Sequence, residues 1–208
     1  MDIDAQKFDS IARNVFNPIY PVIASQIIEK TGITMGTCMD IGCGSGYLGA
    51  ALAKTTQLYV YFLDQSVDMI EIVRRTIREN NLQDRSALLH SDVSNIDLPD
   101  NSINMAVSRG SIFFWDDLPQ ALKEIYRVLV PGGMAYIGGG FGNRELKESI
   151  KEKMMNDKHA DAQFPDHMRR NLSPETRNRF ETALKSAGID SYTILQNEDI
   201  GLWILIRK

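Results

Sequence analysis

The spacing of apolar positions changes period near residue 37. Before it, Phe8, Ile11, Ala12, Val15 and Phe16, and then Val22, Ile23, Ile27 and Ile28, recur at steps that line one side of a helix. Pro18 and Pro21 fall inside this stretch, and proline removes a backbone donor and clashes with the preceding turn. Two helices with a kink between them are therefore predicted over residues 5–30. Beyond residue 37, short apolar runs alternate with helical stretches. The runs, predicted as strands, are residues 38–41, 58–63, 87–89, 103–107, 134–137, 192–195 and 202–206. The helical stretches are 47–54, 66–80, 118–130 and 174–187, the second with Met69, Ile70, Val73 and Ile77 on one apolar face. Ser173 and Pro174 suit an N-cap and a first helical position.

Strands separated by helices of this length predict an α/β fold with a mostly parallel sheet covered on both faces. Only Gln196 to Gly201 joins the last two strands, too short for a crossover. They form a hairpin, so one strand runs antiparallel to the rest. Residues 144–171 break the alternation and read as a helix plus a loop, either a lid over the sheet or solvated packing. The expected organisation is one domain over 1–208: a helical cap at 1–36, a core at 37–140, the insertion at 141–172, and the last helix and hairpin at 173–208.

Composition narrows the classes. At 208 residues, with 43% hydrophobic and 24% charged residues, the chain is an ordinary globular domain able to bury a core. Its net charge of -4 offers no footprint for nucleic acid or an anionic membrane, so neither partner is expected. No apolar run reaches the roughly 20 residues of a membrane span, and no signal-peptide pattern opens the chain. A cytoplasmic protein, monomer or homodimer, is expected. Cys38 and Cys43 read as small buried thiols, and no CxxC spacing, histidine pair or carboxylate cluster suggests a metal.

The chemistry concentrates in the turn Asp40-Ile41-Gly42-Cys43-Gly44-Ser45-Gly46-Tyr47-Leu48-Gly49. Its glycines bring backbone amides close to a ligand at a helix N-terminus, and a side chain at Gly44 or Gly46 is expected to occupy ligand space. The glycines at 44, 46 and 49, with Asp64 20 residues after Gly44, also satisfy a dinucleotide fingerprint, which keeps a nicotinamide-dependent oxidoreductase open. Asp40 argues the other way, because a carboxylate in front of the turn repels a pyrophosphate and suits a cationic ligand end.

The stretch DIGCGSGYLG resembles the first motif of Rossmann-like (class I) S-adenosylmethionine-dependent methyltransferases, which place an acid two residues before the first glycine. Three further segments match in order. Residues 59–66, ending in Asp64-Gln65-Ser66, resemble the second motif; His90-Ser91-Asp92-Val93 followed by Leu98-Pro99 resembles the third; Pro131-Gly132-Gly133 resembles the turn before the fifth strand. The likeness covers about residues 37–208.

It implies a three-layer, doubly wound, seven-stranded sheet. It also implies S-adenosylmethionine as cofactor, S-adenosylhomocysteine as product, no metal, and a small-molecule methyl acceptor. It places Asp40 near the methionine ammonium, directly or through water, and Asp64 on the ribose hydroxyls. Asp92 would accept from the adenine amine, with the Val93 amide near a ring nitrogen. Gly42, Cys43, Gly44, Gly46, Tyr47 and Leu48 would line the turn, with Gln65, Ser66, Met69 and Ser91 beside the nucleoside. Ser108, Arg109 and Gly110 would pass the methionine end, and Tyr20 would reach in from the N-terminal segment.

For the acceptor, residues 106–115 lack the Asn/Asp-Pro-Pro-Tyr/Phe sequence of amino-methylating DNA enzymes. Arg109 is a candidate for a substrate carboxylate or phosphate, against a surface ion pair. Phe113, Phe114 and Trp115 either wall the substrate pocket or pack under the next helix. His159 and His167 are candidate bases, against a solvated-loop role, and His90 reads as a strand-end residue. No catalytic residue is assigned, because displacement at a sulfonium methyl needs a base only if the nucleophile must lose a proton. A non-catalytic S-adenosylmethionine-binding module is the other alternative.

Overall fold

The structure, a computed structural model, describes residues 4–156 and 164–208. Its strands are β1 (Met35–Ile41), β2 (Gln57–Asp64), β3 (Ser86–His90), β4 (Ile103–Arg109), β5 (Leu129–Gly139), β6 (Tyr192–Asn197) and β7 (Gly201–Arg207). They form one sheet in the order β3-β2-β1-β4-β5-β7-β6. All neighbours are parallel except β7, which runs antiparallel to both β5 and β6. The hairpin expectation and the single antiparallel strand both stand.

Strand alternation divides the interior into two cores. Cys38, Val60, Phe62, Val107, Tyr136 and Trp203 face α2 (Ile19–Thr31), α3 (Tyr47–Thr55) and α4 (Val67–Glu79). Met39, Ile41, Leu63, Ala106, Ile137 and Ile204 face α5 (Leu118–Val128) and α8 (Pro174–Ser186). The result is three layers. The chain reverses direction across the sheet at β1, which has β2 on one side and β4 on the other. The carboxyl ends of β1 and β4 therefore border the crevice where ligands bind in open sheets of this kind.

The N-terminal region is α1 (Ala5–Ile11), a π-helical turn (Ala12–Phe16) and α2. The break falls at Asn17–Pro18. Pro21 does not break α2, because it lies in the first turn, where amides have no helical acceptor to lose.

The helix expected over 118–130 stops at Val128. Pro131 pushes Val130 out of the helical region, so β5 begins at Leu129 and bulges over Val130–Gly133 before pairing resumes at Met134. The segment expected as a helix and a loop contains two helices, α6 (Arg144–Asn156) and α7 (Phe164–Asn171). Ile150 and Met154 sit in the first core, and Arg144 pairs with Asp199 at the β6–β7 turn at 2.8 Å. The segment is thus anchored in the fold. No helix among the described residues is long and apolar enough to cross a membrane.

Candidate functional site

The turn between β1 and α3 is held by two carboxylates. Gly46 is the N-cap of α3 and has no side chain to accept from the helix's first amides. Asp40, from the end of β1, supplies that acceptor: the Gly49 amide donates to its Oδ2 at 2.8 Å. Asp64, at the tip of β2, accepts from the Gly44 amide at 2.9 Å and from the Ser66 amide at 3.0 Å. Asp40 is only 2% exposed, and burial together with the nearby Asp64 raises its pKa to about 7 against the pull of the Gly49 bond. Both Asp40 and Asp64 are therefore brought to the turn as the sequence predicts.

The glycines also clear space for the protein itself. A Cβ on Gly46 would meet Val73 and Phe62 at 3.1 and 3.3 Å, and one on Gly44 would meet the Phe8 ring at 2.8 Å. Gly44 and Gly46 also take φ of 53° and 76°, left-handed values that an L side chain resists. Gly42 leaves room for Ser111, whose Oγ donates to the Ile41 carbonyl at 3.0 Å and lies 2.6 Å from the Ser108 Oγ, tying the β4 tip to the β1 tip.

The N-terminal helix straps this turn down. Buried Asp9 on α1 accepts from the Tyr47 hydroxyl at 2.7 Å and pairs with Arg75 of α4. Hydrogen bonds and the two arginines hold the Asp9 carboxyl below its usual range, although burial acts against them. Arg13 donates to Tyr47 at 3.0 Å and to Glu79 at 2.9 Å. Met69, expected against the nucleoside, packs with Ala5 and Ile72, because α1 lies over α4.

The remaining predicted residues scatter. Ser66 caps α4 by accepting from the Met69 amide at 3.3 Å, and Leu48 and Tyr47 pack in the first core with Cys43, whose thiol pKa burial raises. The Gln65 carbonyl lies 3.0 Å from His90 Nε2. Asp92 is exposed and accepts from the Ser94 amide and hydroxyl at 2.7 and 2.6 Å. Ser91 donates to the Asn95 carbonyl at 2.6 Å, and the Val93 side chain packs in the second core. Tyr20 is buried, with its ring 5.5 Å from that of Tyr47, and burial raises its pKa to about 12.

The β4 tip carries Ser108, Arg109 and Gly110. Ser108 is fully buried, and the Gly110 amide donates to the Gly138 carbonyl at 2.7 Å. Arg109 Nε donates to the Gly140 carbonyl at 3.2 Å, and its guanidinium carbon lies 4.9 Å from the Phe16 ring centre and 5.6 Å from that of Phe141.

Of the two readings of residues 113–115, packing against neighbouring helices describes Phe113 and Trp115. Phe113 stacks on Phe180 of α8 at 5.8 Å, Trp115 is buried in the second core, and Phe114 is 66% exposed. Phe16, Phe141 and Phe164 form an aromatic cluster that sequence reasoning missed, the first two beside Arg109. In the sequence Phe16 belongs to a helical apolar face, and no local motif links the three.

His159 lies outside the described residues. His167 is on α7. Among the described residues no group of three or more histidine, cysteine or carboxylate side chains is placed to hold a metal.

A family model described as a methyltransferase domain matches residues 39–137. The solved structure of a "putative s-adenosyl-l-methionine-dependent methyltransferase" from Methanococcus maripaludis is similar, with a TM-score of 0.93 and 46% identity, over 98% of this chain and 91% of that one. Sterol 24-C-methyltransferase erg6 of Aspergillus fumigatus is 29% identical over 88% of this chain and 48% of its own length. The mitochondrial arginine-hydroxylase NDUFAF5 of Rattus norvegicus is 29% identical over 77% of this chain and 44% of its own length. The chain thus spans about half the length of the curated relatives it matches.

Proposed function

The chain belongs to the class I S-adenosylmethionine-dependent methyltransferase family, and from that premise we propose that it transfers a methyl group from S-adenosylmethionine to a small-molecule acceptor. One observation carries this reading over a dinucleotide one. A pyrophosphate site needs free amides at the helix N-terminus. Here the Gly44 and Gly49 amides are each taken by a carboxylate. The local charge is negative, which suits an ammonium group and a diol and opposes a phosphate.

The donor set fits the cofactor. Asp64 would hold the ribose hydroxyls through the lone pairs that its bonds to Gly44 and Ser66 leave free. Asp40 would face the ammonium, and a cation beside it favours its ionised form. When bound, S-adenosylmethionine supplies a sulfonium methyl: an acceptor lone pair bonds the methyl carbon as the carbon–sulfur bond breaks and its electrons stay on sulfur. The protein's own task is to align the acceptor and exclude water. The Ser108–Ser111 tie positions the β4 tip, and α1, held by Asp9, Tyr47 and Arg75, covers the turn. Phe164 brings α7 against Phe16 and Phe141 beside the β4 tip, which supports a closing role for α7.

The acceptor class is a proposal drawn from a relative named for sterol methylation. A relative named for arginine hydroxylation makes the experiment a choice between chemistries. Metabolite extracts incubated with the protein and cofactor carrying an isotopically labelled methyl are expected to yield a product that contains the label. An unlabelled, oxygenated product would contradict the proposal.

A further inference from the structure

Arg109 differs from Arg75 and Arg127, which pair with carboxylates, and from Arg85, whose two terminal nitrogens donate to the Thr56 and Ala53 carbonyls. Arg75 pairs with Asp9, and Arg127 pairs with Glu124 at 2.8 Å and Asp100 at 2.7 Å. No carboxylate pairs with Arg109 among the described residues. Its one hydrogen bond there is from Nε to the Gly140 carbonyl. Phe16 and Phe141 stack beside it with centres 6.3 Å apart, and Phe164 meets both edge-on at 6.1 and 6.2 Å. Burial lowers its pKa, with Tyr20 acting in the opposite direction. A cation in so apolar a setting is costly unless an anion compensates it, and the ring faces offset only part of that cost.

The cage is assembled from four separate pieces: the π-helical turn, the β4 tip, the residue pair after β5, and α7. With Nε taken, Nη1 and Nη2 remain, among the described residues, as a pair of donors matched to the two oxygens of a carboxylate. Arg109 also follows Val107 by two, so it shares a sheet face with Asp40, on the side covered by α2 and α3.

We propose that Arg109 receives a carboxylate of the methyl acceptor, which makes the acceptor an organic acid whose apolar body packs on Phe16, Phe141 and Phe164. The assignment of that carboxylate to an acceptor rests on the methyltransferase reading. The existence of the anion site does not.

The test is calorimetry on the full chain saturated with S-adenosylhomocysteine, with benzoate, phenylacetate and 3-phenylpropionate as probes beside their primary amides. At least one acid is expected to bind about tenfold or more tightly than its amide, as a charge-assisted pair requires. Arg109→Met is expected to abolish that preference and Arg109→Lys to keep part of it, with S-adenosylhomocysteine affinity falling by a smaller factor than acid affinity in both. The Lys variant separates loss of charge from a folding defect.

Equal binding of acids and amides, binding of none of the acids, or an acid preference that survives Arg109→Met would overturn the proposal. So would an Arg109→Met variant that loses S-adenosylhomocysteine as strongly as the acids, since the site would then serve the cofactor's carboxylate. If the unaltered protein fails to bind S-adenosylhomocysteine, the methyltransferase reading falls, while the same acid–amide comparison on the unliganded protein still decides the Arg109 site.

Discussion

The two ends of the crevice are built in opposite ways. At the β1–β2 end, the polar groups that shape the turn are partnered within the chain. Asp40 and Asp64 accept turn amides, and Ser66 caps its own helix. At the β4–β5 end, Arg109 stands in an aromatic cage with a single carbonyl partner among the described residues. The first end is finished without a ligand and specifies one by charge. The second has a partly buried cation for an anion to complete. In a transferase this is a natural division: the donor end must fit one fixed molecule, while the acceptor end sets what that molecule is used on.

Asp64→Ala strikes the first end hardest. It removes two charge-assisted bonds from the turn and is expected to weaken S-adenosylhomocysteine binding by about 1–3 kcal/mol in calorimetry. Unchanged affinity would remove the ribose assignment, and an equal loss of probe acids would erase the contrast between the ends.

The next effect is set by pH. Asp40, with its pKa raised to about 7, is partly protonated at neutral pH in the free protein. Bringing an ammonium beside it requires the carboxylate, so affinity should rise between pH 6 and 8 by at most about tenfold per unit, the limit for one proton. Asp40→Asn should flatten that rise. For the unliganded fold the sign is reversed. The native state holds this proton more tightly than the unfolded chain, so the stabilisation it gives is full below the unfolded value of 3.8 and is lost as pH rises through about 7.

Asp9→Ala should loosen α1 by about 1–2 kcal/mol, because Tyr47 and Arg75 lose their shared partner. Hydrogen exchange should quicken in α1 and stay slow in α5 and α8. Uniform quickening would mean that the network supports the whole fold and does not merely strap α1. The smallest effect belongs to Phe114→Ala, expected to change stability and probe-acid binding by less than about 0.5 kcal/mol. A clear loss of acid binding would restore the pocket-wall role of that aromatic run.

The same division explains what the sequence made legible. All seven strands and the closing hairpin follow from period and connection length. The donor end is a local motif, because backbone geometry requires Gly44 and Gly46 at fixed steps from Asp40. What stays illegible arises where distant segments meet. Met69 packs with Ala5 because α1 lies across α4. Gly44 faces Phe8, 36 residues earlier. Phe113 and Trp115 follow β4 closely, yet they turn to the α8 side of the sheet. The cage joins residues 16, 109, 141 and 164, whose proximity no spacing encodes. Strand parity held a partial signal, since Arg109 and Val107 must share a face.

The most direct test of the central claim, that the turn between β1 and α3 receives an aminoacyl nucleoside cation and refuses a dinucleotide, is equilibrium binding by calorimetry. S-adenosylmethionine and S-adenosylhomocysteine are predicted to bind one per chain, with NAD and NADP in either redox state giving no saturable heat. Saturable binding of a nicotinamide dinucleotide, with S-adenosylhomocysteine silent, would contradict the account.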